Sequence, residues 1–290
     1  MNEQLKSSSG EGGLKGSKTE TQSFRVATWN LENYQDTTAK KGCIKSVESK
    51  IKIRECIRRM NPDVIALQEI GSKGSLDELR ASLASEECEF PYWEYVQGED
   101  ADLHVSILSK FPFAARRPHT QDCFVMNGHT FHVRRGFAEI DIRVNPHFSL
   151  TLFAAHLKSK NENAEVLSDD LRLEEARLLR EKIDARLRRM PDANILVCGD
   201  FNDTEDSMVV RTIVGIGEHQ LVDSRPASND GRAAWTNYYE EKDRFERIDY
   251  VLMSNAMEEC WLCEKSCVWQ MLDWRMASDH RPVVAAFANR

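Results

Sequence analysis

Eight side chains in this chain are of types that hydrolyse esters: Asn30, Glu69, His156, Asp200, Asn202, Asp249, Asp279 and His280. Each stands at one end of a short apolar run. Val26 to Trp29 leads into Asn30, Val64 to Leu67 into Gln68-Glu69, and Leu150 to Ala155 into His156. Ile195 to Cys198 leads through Gly199 into Asp200 and Asn202, Asp249 opens Tyr250-Val251-Leu252, and Asp279-His280 precedes Pro282 to Phe287. Hard oxygen ligands without a cysteine among them suit magnesium, with manganese as its substitute. Such ions keep several waters and take one or two protein carboxylates plus substrate phosphate oxygens. Glu69 is the leading ligand. Asp279 and His280 point to opposite faces of an extended chain, one toward metal and one toward substrate, and Asp249 can hold the second nitrogen of His280. A site of this make-up hydrolyses phosphate esters. The ion neutralises charge, a carboxylate or imidazole orients or deprotonates water, and an amide such as Asn202 holds a non-bridging oxygen. Each position taken singly has a plainer reading: a tight turn at Gly199 to Asn202, a satisfied core histidine at 156, a strand-end cap at Asp249, a solvent-facing Glu69. Recurrence at six strand ends points instead to one rim.

The elements that must carry these residues follow from periodicity. Phe24 to Trp29, Val64 to Leu67, Tyr92 to Val96, Val105 to Leu108, a stretch near Ala114, Leu150 to Ala155, Ile195 to Cys198, Ile248 to Leu252 and Pro282 to Phe287 read as strands. Gln121 to Ile142 alternates like a hairpin, with Asn127-Gly128 as a two-residue turn. Ile44, Val47, Ile51, Ile57 and Met60 predict a helix closed by Asn61-Pro62-Asp63. Ser75 to Glu87 reads as a second helix, with Ser75 as N-cap and Glu78 completing a capping box. A third runs from about Asp170 to Arg189, with Leu171, Leu179, Ile183 and Leu187 on one stripe. Strands outnumber helices and the helices lie between strands, which predicts a layered sandwich with helices outside.

Composition bounds the rest. At 290 residues and 41% hydrophobic the chain can bury one large core, and one domain is expected over 24–290. Residues 1–23 are rich in Ser, Gly, Lys and Glu and read as a disordered tail rather than a signal peptide. Thirty-nine basic against 47 acidic side chains give a net charge of -8, which argues against a broad basic grip on nucleic acid but not against a polyanion bound through a cation. No apolar run approaches a membrane span. The eight cysteines are too sparse for a disulfide scaffold, so a reducing, cytoplasmic location and a soluble monomer without a stable protein partner are expected. Cys260, Cys263 and Cys267 lack a fourth ligand for zinc and read as packing residues. Trp261, Trp269 and Trp274 read as core or lid, and the pairs Arg116-Arg117 and Arg134-Arg135 as surface charge.

In order and spacing, Thr28-Trp29-Asn30, Leu67-Gln68-Glu69, Ile107 to Pro112, His156, Gly199-Asp200-Phe201-Asn202, Trp235-Thr236, Arg247-Ile248-Asp249-Tyr250 and Ser278-Asp279-His280 resemble the endonuclease/exonuclease/phosphatase superfamily, in the manner of deoxyribonuclease I. The resemblance spans about Phe24 to Phe287. It implies a four-layer α/β/β/α sandwich, magnesium held by Glu69 with help from Asn30 and Asp279, and in-line attack of water. It also implies that Asp200 and Asn202 position water and phosphate, and that Asp249 and His280 form a carboxylate-imidazole pair. His280 takes a proton or stabilises phosphate charge. His156 marks the branch with a second histidine, whose acidic partner would be Asp102, and Lys158 and Lys160 are candidates for a flanking phosphate. The leading function is an endonuclease acting on nucleic acid. The alternatives are a phospholipid or inositol phosphate phosphoesterase with the same chemistry, and a non-catalytic binding protein on the same fold.

Overall fold

The computed structural model describes residues 23–35, 44–160, 167–228 and 234–289. Cys43 and, apart from Ser23, the expected tail lie outside them. The strands are β1 Ser23–Tyr34, β2 Val64–Ile70, β3 Tyr92–Val96, β4 His104–Ser109, β5 Phe113–Arg116, β6 Cys123–Met126, β7 His129–His132, β8 Phe137–Arg143, β9 Ser149–His156, β10 Ile195–Asp200, β11 Val222–Asp223, β12 Asn237–Tyr239, β13 Arg244–Glu246, β14 Asp249–Met253, β15 Cys267–Val268 and β16 Val283–Ala288. The α-helices are α1 Val47–Met60, α2 Lys73–Ser85, α3 Leu167–Arg189, α4 Met208–Val214 and α5 Asn255–Glu258.

Two six-stranded mixed sheets form, in the orders β15-β16-β1-β2-β4-β3 and β11-β14-β10-β9-β8-β5. Side-chain alternation along each strand explains why they stack. Val26, Ala66, Ile107, Ile140, Leu152, Cys198, Val251 and Ala285 face one another between the sheets. The opposite faces, with Trp29 and Leu67 on one sheet and Phe153, Val197 and Leu252 on the other, are covered by Ile53, Ile57 and Leu79 and by Leu179, Ile183 and Leu187. The result is the four-layer α/β/β/α sandwich. Its topology also gathers the rim. β1 and β2 run parallel, as do β9 and β10, so both pairs end together, and β14 and β16 are antiparallel to β10 and β1 and begin where these end.

Local details differ from expectation for identifiable reasons. The buried face of α1 is Ser49, Ile53, Cys56, Ile57 and Met60, while Ile44, Val47 and Ile51 are exposed. The apolar residues near the helix start therefore lie on the wrong side of the 3.6-residue period. The cap of α2 is Ser72, whose hydroxyl accepts from Ser75 N–H, and Glu78 is drawn away to Tyr34 Oη and Lys50. In the 121–142 stretch, Asn127 and Gly128 adopt the paired left-handed turn, but β6 and β7 form a separate ribbon and only β8 joins a large sheet. Leu171 is half-buried; Arg172 and Glu175 take the core-facing positions at that end of α3. Cys260 packs in the inner core while Cys263 is exposed, and helix α1 and strand β10 hold Cys56 and Cys198 as buried thiols. No described helix is long and apolar enough to cross a membrane.

Candidate active site

The rim is built from distortions in otherwise regular strands. The β1–β2 register shifts between Asn30 and Tyr34, with Glu32 and Asn33 at φ 50 and 58°, and the β2–β4 register shifts between Leu67 and Ile70. Glu69 itself sits at φ 61°, a costly conformation for a glutamate and one that the paired bulges impose. Its Oε2 accepts from Asn33 N–H at 2.8 Å and its Oε1 from Asn30 Nδ2 at 3.1 Å. Asn30 Nδ2 also donates to Asp200 Oδ2 at 3.0 Å, tying the ends of the two sheets together. The oxygen of Asn30 accepts from Glu32 N–H at 2.9 Å. Asn30 thus aligns two carboxylates through its nitrogen while the turn holds its oxygen.

On the second sheet, Gly199 lies between Ala155 of β9 and Tyr250 of β14 at φ 141°, and a Cβ there would stand 1.9 Å from Ala155 O. Only glycine allows this approach. The close passage brings Asp200 into register with His156 on one side and Asp249 on the other. His156 Nε2 is 3.5 Å from Asp200 Oδ2 and 3.9 Å from Glu69 Oε1. His280 Nδ1 is 2.8 Å from Asp249 Oδ2, and His280 Nε2 is 3.9 Å from Asp200 Oδ2 and 4.0 Å from Asp279 Oδ1. Asn202, at φ 52°, donates through Nδ2 to Leu157 O at 3.0 Å. Seven of the eight sequence-selected side chains, Asp249 excepted, line one cleft of about 490 Å³, and Asp249 lies directly behind His280.

Burial sets the electrostatics. It raises the Asp200 pKa, reinforced by Asp249 and opposed by His280 and by hydrogen bonds from Asn30 and Asn202 N–H. For His280 burial acts downward, yet Asp249, Asp279 and Asp200 hold its pKa well above the ordinary histidine value. His156, buried and near Arg135, His280 and Lys158, is pushed well below it. Asp279 is raised by burial, with Glu32 and Glu69 adding to the effect and His280 opposing it. Burial and neighbouring charge thus push the two histidines in opposite directions. His156 Nδ1 has no hydrogen-bond partner among the described residues. Asp102 does not supply one. Its backbone is tied to Asp100 and its carbonyl accepts from Gln35, so the acidic partner expected for His156 is not found there.

Sequence reading missed the far wall of the cleft. The β12–β13 hairpin contributes Asn237, Tyr239, Arg244 and Glu246, and its turn Glu241 and Lys242, opposite Ser159 and Lys160. Its signal was the ring pair Tyr238-Tyr239 and Phe245 on either side of a charged turn, a pattern too short to read as strands. Tyr238 stacks on Phe245, Phe245 tilts against Trp235 and Trp235 meets Trp274 edge-on, which places Trp274 as support for the hairpin. Lys160 lines the cleft and pairs with Asp203 at 2.9 Å, whereas Lys158 turns its amine to Ser159 O. Arg117 and Arg135, expected on the surface, are built into ion pairs with Glu139 and Asp100.

A cation fits this donor set. Glu69, Asp200 and Asp279 line the cleft with Asp249 behind them, Asp200, Asp249 and Asp279 each come within 4.0 Å of the His280 ring, and Asp249 Oδ1 has no hydrogen-bond partner among the described residues. Excess buried negative charge of this kind requires a counter-charge. The sequence from 27 to 280 matches the model of the Endonuclease/Exonuclease/phosphatase family. The chain belongs to that family. Its members are hydrolases of phosphodiester bonds that typically depend on a divalent metal, and the chain is a phosphoester hydrolase. Similar solved structures include truncated TDP2 of Caenorhabditis elegans, at 16% identity and TM-score 0.64 over 92% of this chain and 98% of that one. Sphingomyelinase C of Streptomyces griseocarneus matches at 21% and 0.65 over 93% and 100%, and the human Nocturnin catalytic domain at 15% and 0.66 over 92% and 94%. These likenesses speak for the fold. No curated protein matches the sequence.

Proposed function

We propose that this family member is a magnesium-dependent endonuclease, with manganese as an alternative ion. The observation that carries the reading is the His280–Asp249 pair converging with Glu69, Asp200 and His156 in an open cleft. Among the side chains lining that cleft, Ile248 is the one aliphatic member, and Lys160, Lys242 and Arg244 are cationic, a lining suited to a charged polymer strand. Glu69 and Asp279 would hold the ion, which when bound neutralises phosphate charge and polarises phosphorus. Asp200, with its raised pKa, takes the proton of the attacking water. His280, kept protonated by Asp249, donates from Nε2 to a phosphoryl oxygen, and Asn202 holds another. Neutral His156 gives the leaving oxygen a hydrogen bond rather than its proton, and that oxygen takes its proton from water in the open cleft.

A second reading, hydrolysis of a phospholipid or inositol phosphate, is favoured by the outer side of the rim, where Phe245, Leu272 and Met276 are 53, 86 and 52% exposed. The likeness to a sphingomyelinase agrees with it. The test is hydrolysis of plasmid DNA, single-stranded RNA, sphingomyelin and an inositol polyphosphate, each with and without magnesium. Nicking of plasmid that disappears in Glu69→Gln supports the nuclease reading. Turnover confined to lipid or inositol phosphate moves the substrate and retains the mechanism.

A further inference from the structure

The core stripe of α3 runs back from Leu187 through Ile183, Leu179 and Ala176 to Arg172, and places Glu175 beside it. Arg172 is fully buried and Glu175 only 2% exposed. Charges in such positions persist only with full complements of partners. Arg172 Nη1 donates to Lys158 O at 3.0 Å, and its Nε and Nη2 each lie 3.3 Å from Asp203 Oδ2. Its Nη2 also reaches Asp169 Oδ1 at 2.5 Å. Glu175 Oε2 accepts from Lys158 N–H at 2.7 Å and its Oε1 from Arg134 N–H at 3.4 Å. One helix thus binds both backbone groups of Lys158.

The neighbouring residue is held just as fully. Leu157 N–H donates to Asp200 O at 3.0 Å, and Leu157 O accepts from Asn202 Nδ2 at 3.0 Å and Arg135 Nη1 at 3.2 Å. Asn202 therefore hangs between Leu157, whose neighbour Lys158 is held by Arg172 through its carbonyl, and its own neighbour Asp203, which Arg172 also holds. We propose that Arg172 and Glu175 are positioning residues that fix the 157–160 segment and thereby aim the amide of Asn202 into the cleft. This rests on the reading of Asn202 as a phosphate-holding group. Misplacement of a reacting group by about 1 Å costs on the order of 100-fold in rate, so a clamp remote from the cleft controls turnover.

The test combines kinetics and hydrogen exchange. Arg172→Lys keeps the charge but loses the planar fork. It is expected to lower kcat on bis(4-nitrophenyl) phosphate with magnesium by roughly 10- to 100-fold, with Tm within a few degrees of wild type. Glu175→Ala should behave alike, and Glu175→Gln, which keeps an acceptor for Lys158 N–H, should recover most of the rate. In an Asn202→Ala background Arg172→Lys should cost less than about twofold more, because both act through one group. A full additional loss in that background overturns the proposal. Amide exchange decides it independently of catalysis. Faster exchange confined to 157–160 and 202–203 in Arg172→Lys or Glu175→Ala supports the clamp, and no change there, or a rise throughout the protein, overturns it. Absence of turnover in the wild type with the local exchange pattern intact would instead count against the reading of the site.

Discussion

In the proposed mechanism two histidines act in opposite protonation states, and Asp249 sets one of them. With Asn at 249 the amide oxygen can still accept from Nδ1–H, but the counter-charge is gone. Asp249→Asn is therefore expected to lower kcat by about 10²- to 10⁴-fold and to move the His280 titration down, read by NMR of the ring nitrogens. An unchanged His280 titration would show that the pair does not control its proton. These rim residues were legible in the sequence because each ends or begins an apolar run, so one strand position fixes each. What the sequence does not display is which atom each offers. Asn30 turns its nitrogen to Glu69 and Asp200 because the bulge at Glu32 supplies an N–H for its oxygen, and Asp102 is led away from His156 by its own loop.

Strands of four residues or more were legible as apolar or alternating runs; the β12–β13 hairpin, three residues a side, was not. Charged residues on the inner face of α3 were visible only as breaks in an apolar stripe. A similar network closes the far edge of the second sheet. Glu139 of β8 accepts from Arg117 Nε at 2.6 Å, His119 Nε2 at 2.7 Å and Arg186 Nε at 2.5 Å, with Asp141 beside it also bound by Arg117. Burial would raise the pKa of Glu139, but these three donors hold it down to about 2, against an ordinary 4.5. A carboxylate depressed by folding stabilises the fold above its unfolded value, and that contribution is lost as pH falls toward the folded value. Glu139→Gln should cost about 2–3 kcal/mol at pH 7, and the difference from wild type should close between about pH 4.5 and pH 2. Urea titrations at both ends of that range measure it. A constant difference would mean that the ionised form makes no special contact.

For the molecule as a whole, a net charge of -8 and a cleft with Lys160, Lys242 and Arg244 imply few phosphate contacts. Nucleic acid binding should weaken with salt at a log–log slope no steeper than about -3, since each neutralised phosphate contributes about -0.9. A slope near -8 in equilibrium binding would reveal a basic surface that this cleft does not have. The sandwich itself was legible because its two parallel strand pairs and their crossovers leave few ways to gather six strand ends. The chemistry follows from that gathering. The most direct test is the rate of plasmid nicking by wild type, Glu69→Gln and His280→Ala, each in magnesium and in EDTA. Nicking by the wild type in magnesium alone, with both variants slower by at least about 100-fold, is the predicted result. Nicking that persists in EDTA, or at the wild-type rate in His280→Ala, would contradict a metal-dependent hydrolysis centred on this rim.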